Sequence, residues 1–254
     1  MVDIHSHLLH GLDDGAATLD QSVAMARMAA QSGTTDLVAT PHANSEFEFN
    51  PQLVQRCWED LQHLLGNTIR IHLGCDLHLA YDNIRKAIEN PARYSINGLG
   101  YLLVEFSDIL ILHSAEEVFS QLRQAGLTPI VTHPERNPHL ASNLKRLQRW
   151  VECGVFLQVT AQSVTGRFGP QAASCARTLL KRGLAHFVAS DAHDTQDRPP
   201  RLDDARVFIR AVYGGEYAEL LFEIHPRAVI EGQPLFTGPL SVPRPRSNWF
   251  EFWK

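Results

Sequence analysis

The sequence has 254 residues, of which 44% are hydrophobic and 20% charged, a composition typical of a globular protein with a sizeable core. Its net charge of −5 disfavours a nucleic-acid-binding protein that relies on a broad basic face. No apolar run approaches the roughly 18 residues that span a membrane, and the first residues do not form a secretory signal. The four cysteines contain no C-x-x-C pair, which favours a reducing compartment over a disulfide framework. We therefore expect a cytoplasmic protein with no membrane insertion and no nucleic-acid partner.

Short apolar segments alternate with helical patterns along the chain. The predicted strands cover residues 2–4, 36–40, 69–74, 101–105, 129–132, 155–159 and 186–189. The predicted helices, each followed by a glycine, cover residues 17–32, 115–125, 143–153 and 171–182. This alternation predicts an α/β fold with a parallel sheet, and seven strands favour a closed barrel over an open sheet.

The C-terminal segment differs in composition from the rest of the chain. No linker divides the sequence before about residue 236, so we predict one domain over residues 1–236 and a tail over residues 237–254. Prolines in the tail disfavour a regular helix, and four aromatic residues lie within residues 249–253. Two interpretations stay open: a tail folded back onto the domain, or an exposed segment that docks a partner or a second subunit of a homo-oligomer.

A histidine or a carboxylate follows six of the seven predicted strands. In α/β barrels, the carboxyl ends of the strands form the rim where functional groups gather. His5 and His7 are two residues apart, as are Asp191 and His193, so each pair can face one metal ion. Imidazole and carboxylate ligands without a thiolate suit Zn²⁺, Fe²⁺ or Mn²⁺. The candidate metal ligands are His5, His7, Asp14, His42, Asp76, Glu105, His133, Asp191 and His193.

Asp13 and Asp14 lie just after the first predicted strand. We favour Asp14 as a ligand, whereas Asp13 fits a ligand role and an N-cap of the following helix about equally. Nine ligands are too many for one ion and fit three divalent ions if some carboxylates bridge. Three ions bring roughly +6 against about −4 from the carboxylates, so we expect the site to attract an anion.

Two arginines on the same rim indicate what that anion is. Arg136 and Arg198 follow predicted ligands, and guanidinium groups bind phosphate oxygens in a bidentate manner. A surface salt bridge is the simpler interpretation of either arginine alone, but beside metal ions both are interpreted as catalytic, substrate-binding residues. Metal ions lower the pKa of bound water and supply hydroxide, which would attack phosphorus. The sequence therefore predicts a metal-dependent phosphomonoesterase.

These residues resemble the PHP (polymerase and histidinol phosphatase) superfamily. Within it, they are most similar to the bacterial tyrosine-phosphatase branch that is linked to capsule and exopolysaccharide synthesis. The matching stretches are DIHSHLLHGLDDGA at 3–16, ATPH at 39–42, VEFS at 104–107, THPERN at 132–137, LQVTAQSVTGRFG at 157–169 and SDAHDTQDRPP at 190–200.

The resemblance implies a distorted (β/α)7 barrel, similar to a TIM barrel, with three divalent ions. Manganese is the expected metal, with iron or zinc as alternatives. The implied ligand sets are His5, His7, Asp76 and Asp191 for one ion, Asp76, Glu105 and His133 for a second, and Asp14, His42 and His193 for a third. Arg136 and Arg198 match the family's phosphate-binding arginines. The implied substrate is phosphotyrosine on the C-terminal tail of a bacterial tyrosine kinase.

One residue departs from the family pattern. Asp76 stands where the family usually has glutamate, and its side chain is one methylene shorter. A bridging aspartate would need a closer backbone, or one ion would be held loosely. Two other functions therefore stay open: a small-molecule phosphatase such as a histidinol-phosphate phosphatase, and a metal-binding regulatory module with little activity. A nuclease is disfavoured by the acidic charge balance.

Overall fold

The computed structural model describes residues 1–107 and 114–243, and its strands are all parallel. They form two sheets, with the orders β1-β2-β4 and β3-β5-β6-β7-β8-β9. The strands are β1 (Val2–Ser6), β2 (Asp36–Ala39), β3 (His42–Ala43), β4 (Arg70–Leu73), β5 (Asp76–His78), β6 (Tyr101–Glu105), β7 (Thr128–Thr132), β8 (Phe156–Thr160) and β9 (Phe187–Ala189). The predicted α/β fold with a parallel sheet is confirmed.

Helices connect most of these strands. They are α1 (Leu19–Gln31), α2 (Pro51–Leu65), α3 (Tyr81–Glu89), α4 (Pro91–Tyr94), α5 (Ala115–Gln124), α6 (Pro138–Ala141), α7 (Leu144–Glu152), α8 (Ala161–Thr165), α9 (Gly169–Lys181), α10 (Asp203–Tyr213), α11 (Gly215–Glu219) and α12 (His225–Ile230). A 3-10 turn at Ile96–Gly98 and a π-helical turn at Leu220–Ile224 lie among them. The four predicted helices correspond to α1, α5, α7 and α9.

Hydrogen bonds join the two sheets where two predicted strands are interrupted. The segment predicted at 36–40 leads through Thr40 and Pro41 from β2 to β3, and the segment at 69–74 leads from β4 to β5. Gly74 N donates to Ala39 O at 2.9 Å, and Asp76 N donates to Pro41 O at 3.1 Å. The backbone pairing therefore continues across both interruptions.

The first strand also lies beside the last. Ser6 forms a parallel bridge with Ala192, and His7 N donates to Ala192 O at 2.8 Å. The buried carboxylate of Asp3 supports this contact, because its Oδ1 accepts a hydrogen bond from Ser190 N at 3.0 Å. These links bring the first and last strands together, as the predicted barrel requires.

An apolar layer lies beneath the carboxyl ends of the strands. Leu103 and Phe156 belong to a buried apolar cluster, and Glu105 and Gln158 follow two residues later on the same faces of their strands. In β1, the pairing with β2 is irregular between Asp3 and Ser6, and Ile4 of the apolar cluster is followed directly by His5. The interior enclosed by the strands is therefore apolar in its lower part and polar at the carboxyl ends of the strands.

Residues 237–243 of the predicted tail lie against the domain. Gly238 O accepts a hydrogen bond from His186 Nε2 at 3.1 Å, and Leu240 N donates to Gly183 O at 2.7 Å. The aromatic residues at 249–253 lie outside the described residues. In the described part of the chain, no helix combines the length and apolar character needed to cross a membrane.

A charged cluster at the other end of the strands holds separate elements together. The buried Asp36 carboxylate of β2 accepts hydrogen bonds from Arg70 Nε at 2.8 Å and from His72 Nε2 at 3.0 Å, both on β4. It also contacts Arg227 Nη2 of α12 at 3.4 Å. Although burial opposes its charge, these donors hold the pKa of Asp36 below its usual value.

We predict that Asp36→Asn lowers the free energy of unfolding at pH 7 by about 2 kcal/mol, because hydrogen bonds to a charged acceptor are lost. Since folding depresses the pKa of Asp36, its contribution is present above the unfolded pKa of about 4 and is lost as the pH falls below it. Urea unfolding of both proteins at pH 7 and below pH 4 measures the difference. The same change at the exposed Asp82 should have little effect.

Candidate metal centre

All nine predicted ligand side chains converge at the carboxyl ends of the strands. Several sets place one ligand atom from each member within 4.8 Å of the others. These sets are His7, Asp14, His42 and His193; His5, His7 and Asp76; His5, His133 and Asp191; and His42, Asp76 and Glu105. They overlap with the three implied sets but differ in membership. His133 groups with His5 and Asp191 and not with Asp76, His42 takes its place beside Asp76 and Glu105, and His7 also joins the Asp14, His42 and His193 group.

The nitrogen atoms of His5 and His7 face one another. His5 Nδ1 lies 3.0 Å from Gln158 Oε1, and His7 Nδ1 lies 2.7 Å from Asp13 Oδ2, so each Nδ1 carries the proton that it donates. When both imidazoles are neutral, the two Nε2 atoms then bear lone pairs, and they lie only 3.2 Å apart. Two lone pairs cannot form a hydrogen bond with each other, whereas a cation between them would satisfy both.

Several buried polar atoms of this cluster have no hydrogen-bond partner. They include both carboxylate oxygens of Asp76 and Nδ1 of His42. Asp76 Oδ2 lies 3.5 Å from His5 Nε2 and 3.4 Å from His42 Nδ1, so these three atoms are near enough to bind one cation. Because unpaired buried polar groups are costly, these orphaned atoms fit the donor set of bound cations.

The carboxylates dominate the electrostatics of the cluster. Burial opposes the charge of His5, but Asp191 and Asp76 raise its pKa to about 9. Burial, with Asp76 beside it, raises the pKa of Glu105 to about 7. Burial lowers the pKa of His133 to about 3 and keeps its imidazole neutral. The raised pKa of His5 means that the surrounding carboxylates favour a positive charge at this place, and a divalent cation bound to its Nε2 would replace the proton there.

Two of the candidate ligands have unusual backbone conformations. His133 and Asp191 follow β7 and β9 with positive φ angles of 31° and 51°, respectively. Residues other than glycine rarely adopt this left-handed region, and such strain is concentrated at functional sites. The unusual backbone conformation after β7 and β9 thus occurs at the residues whose side chains join the cluster, His133 and Asp191.

The structure distinguishes the two adjacent aspartates. Asp14 Oδ1 lies 3.4 Å from His193 Nε2 and 3.5 Å from His42 Nε2, and its side chain is 52% exposed. Asp13 is directed toward His7 and also accepts a hydrogen bond from the backbone of His42 at 3.1 Å. The N-cap alternative for Asp13 is wrong, because Thr18 caps α1 by accepting a hydrogen bond from Gln21 N.

Arg136 and Arg198 lie at the edge of the same cluster. Both guanidinium groups contact Asp191 Oδ2, the contact from Arg198 Nη2 being 2.5 Å long. The Arg136 guanidinium also stacks on Phe168, with Cζ 4.5 Å from the ring centroid. The Asp194 carboxylate accepts a hydrogen bond from the backbone of Arg198 and so orders the loop that carries it. The two guanidinium groups therefore lie together beside the candidate ligands.

The sequence motifs do not identify two buried polar residues that support the site. Gln158 lies in β8, and its amide oxygen fixes the tautomer of His5. Glu135 is buried after β7 and accepts a hydrogen bond from Thr160 N of β8 at 2.9 Å, which ties the turn after β7 to the neighbouring strand. The available signal was the position of both residues at strand ends, but a hydrogen-bonding partner across the sheet cannot be identified from spacing alone.

Gly15 is held against the backbone of His7. A β-carbon at this position would overlap the His7 carbonyl oxygen and lie 2.6 Å from His7 Cβ. The carbonyl group also accepts a hydrogen bond from Ala16 N at 3.1 Å. A side chain at residue 15 would therefore displace the loop that carries Asp13 and Asp14.

We predict that Gly15→Ala weakens binding of added Mn²⁺ by on the order of tenfold or more, because Asp13 no longer orients His7. Calorimetric titration of the metal-stripped protein measures this change. Gly215→Ala is the matched control, since a β-carbon there meets nothing within 4 Å. Unchanged metal binding in Gly15→Ala would contradict the positioning role of the loop.

Comparisons with known proteins identify the family of this chain. A family model described as "Capsular polysaccharide synthesis, CpsB/CapC" matches residues 1–231. Tyrosine-protein phosphatase YwqE of Bacillus subtilis is 32% identical, with all of both chains aligned. Tyrosine-protein phosphatase CpsB of Streptococcus pneumoniae is 28% identical over 92% of this chain and 99% of its own. The putative tyrosine-protein phosphatase CapC of Staphylococcus aureus is 34% identical over 78% of this chain and 79% of its own.

Solved structures give the same result. A crystal structure from work on YwqE and CpsB, termed unique metal-dependent tyrosine phosphatases, superposes with a TM-score of 0.87 and 30% identity over 97% of this chain and 99% of its own. A lactonase from Listeria monocytogenes, with 12% identity over 92% of this chain and 95% of its own and a TM-score of 0.59, shares the fold alone. The resemblance noted from the sequence motifs is confirmed, and the chain belongs to the CpsB/CapC family of capsular polysaccharide synthesis.

Proposed function

We propose that this protein is a metal-dependent tyrosine-protein phosphatase that acts in the synthesis of a capsular or extracellular polysaccharide. The observation that carries the proposal is the convergence of nine imidazole and carboxylate side chains beside two arginine guanidinium groups. Similarity to phosphatases over the whole chain supports the reaction class. A nuclease is not supported, because the net charge is −5.

The proposed cofactor is a set of three divalent ions, with Mn²⁺ as the expected metal and Fe or Zn as alternatives. The ligands would be His5, His7, Asp14, His42, Asp76, Glu105, His133, Asp191 and His193. Their oxygen and imidazole donors suit these metals, and no thiolate belongs to the described cluster. When bound, such ions lower the pKa of water and supply hydroxide for attack on phosphorus.

The residues of the chain prepare the site for a phosphate group. Arg136 and Arg198 would bind its non-bridging oxygens and stabilise the charge that spreads over them during the reaction. Gln158 and Asp13 hold His5 and His7 in the tautomers whose Nε2 atoms face the cluster. The apolar layer beneath the ligands closes the interior below the site, so substrate would approach from the rim.

The proposed substrate is phosphotyrosine on the C-terminal tail of a bacterial tyrosine kinase, and the proposed location is the cytoplasm. Relatives that carry the name tyrosine-protein phosphatase support the substrate class. A protein tail suits this site, because a phosphotyrosine side chain on an extended segment can reach a rim at the end of a parallel sheet.

The proposal predicts that the purified protein with Mn²⁺ hydrolyses p-nitrophenyl phosphate and a phosphotyrosine peptide, and histidinol phosphate more slowly. Phosphate release measures the three rates. A chelator should abolish activity and added Mn²⁺ should restore it, because the hydroxide source depends on metal. A higher kcat/KM for histidinol phosphate would identify a small-molecule phosphatase, and inactivity with every divalent ion would identify a regulatory metal-binding module.

Asp76 permits a separate test of the ligand assignment. We predict that Asp76→Glu keeps or raises metal content, because the longer carboxylate can reach both neighbouring sets of ligands more easily. Elemental analysis after gel filtration measures the bound metal, and Asp76→Asn provides a comparison that removes the charge and should lower it. A large loss of metal in Asp76→Glu would refute the bridging assignment.

A further inference from the structure

A cavity of about 800 Å³ begins at Arg136 and follows α9 away from the metal centre. Arg136 and Phe168 form the end nearest the candidate ligands. The walls beyond them are neutral and largely apolar, formed by α9 on one side and by the region of α6 and α7 on the other. This cavity is therefore continuous with the proposed phosphate-binding site.

A second cavity of about 410 Å³ adjoins the first on α9. Pro170, Ser174 and Thr178 line both cavities and form the boundary between them. Arg177 and Lys181 line the second cavity. The two adjoining cavities, here together called the α9 groove, extend from Arg136 to Lys181.

The charge of the α9 groove is opposite to that of the whole chain. Its described lining includes the cations Arg136, Arg177 and Lys181 and one carboxylate, Glu135. Glu135 is 2% exposed and accepts a backbone hydrogen bond, so it presents little charge to the groove. Arg177 is held in place by its hydrogen bond to Val164 O at 3.2 Å. A groove of this charge in a protein of net charge −5 is complementary to an acidic segment.

We propose that the α9 groove binds the polypeptide on one side of the phosphotyrosine and selects acidic side chains there. This inference rests on the proposed phosphatase function and names the substrate class that the site prefers. The helix α9 has 13 residues and is about 18 Å long at 1.5 Å per residue. An extended peptide covers that distance in about five residues, so an acidic side chain about five residues from the phosphotyrosine would contact Lys181.

The test uses the full-length protein with Mn²⁺ and phosphotyrosine peptides in two designs. One design carries a pair of glutamates about five residues after the phosphotyrosine, and the other carries the pair about five residues before it. Matched peptides carry glutamine in place of glutamate. We expect the wild-type protein to show a lower KM for the glutamate peptide in one of the two directions, which identifies the direction of the bound chain.

Lys181→Glu should raise KM for that glutamate peptide by about fivefold and leave the glutamine peptide unchanged, because one exposed charge contact is reversed. Arg56→Glu is the matched control, since Arg56 is exposed on the distant helix α2. Both variants should hydrolyse p-nitrophenyl phosphate at the wild-type rate, because this substrate has no flanking chain.

Ser174→Trp tests the α9 groove itself without changing charge. The exposed Ser174 lines both cavities, so a tryptophan there should obstruct the α9 groove and raise KM for glutamate and glutamine peptides alike. Gln121→Trp, at an exposed position of α5, is the control. The inference is overturned if peptide KM values are unchanged in both Lys181→Glu and Ser174→Trp while p-nitrophenyl phosphate is hydrolysed normally. Loss of p-nitrophenyl phosphate hydrolysis by the wild-type protein would instead contradict the proposed function.

Discussion

The candidate site depends on buried polar groups that are held close together while several of their atoms have no hydrogen-bond partner. The Nε2 atoms of His5 and His7 face each other at 3.2 Å, while both oxygens of Asp76 are buried without a hydrogen bond. A fold retains such a cluster only when the surrounding structure fixes it. Here the fixing groups are Gln158 and Asp13, which hold the two imidazoles from outside the cluster. A divalent cation among these groups would give their unpaired nitrogen and oxygen atoms a common partner.

The parallel sheet explains why sequence alone located most of this site. Parallel strands end on the same side, so ligands that are distant in sequence, such as His42 and His193, were predicted to meet after their strands. Alternation along a strand also predicts that an apolar residue such as Leu103 is followed two positions later by a group at the rim. These rules require only strand positions, which the apolar segments indicate well.

Other features depend on geometry that spacing does not encode. The irregular pairing of β1 lets Ile4 and His5 contribute to different layers, and the positive φ of Asp191 follows from a turn that no glycine marks. The helix α2 was missed although Asn50 caps it and Pro51 begins it, a recognisable start signal. Gln158 escaped notice because its role comes from a contact with His5, 153 positions away in sequence.

Asp191 connects the two chemical parts of the site. Its Oδ1 lies 3.3 Å from His5 Nε2 and 3.4 Å from His7 Nε2, whereas its Oδ2 receives the guanidinium groups of Arg136 and Arg198. One carboxylate thus contacts the candidate ligands through one oxygen and the two arginines proposed to bind phosphate through the other. Since the two oxygens of a carboxylate are only about 2 Å apart, the arginines cannot lie far from the ligands. A phosphate oxygen bound by these arginines must therefore lie beside the ligand cluster, which is the arrangement that phosphoryl transfer requires.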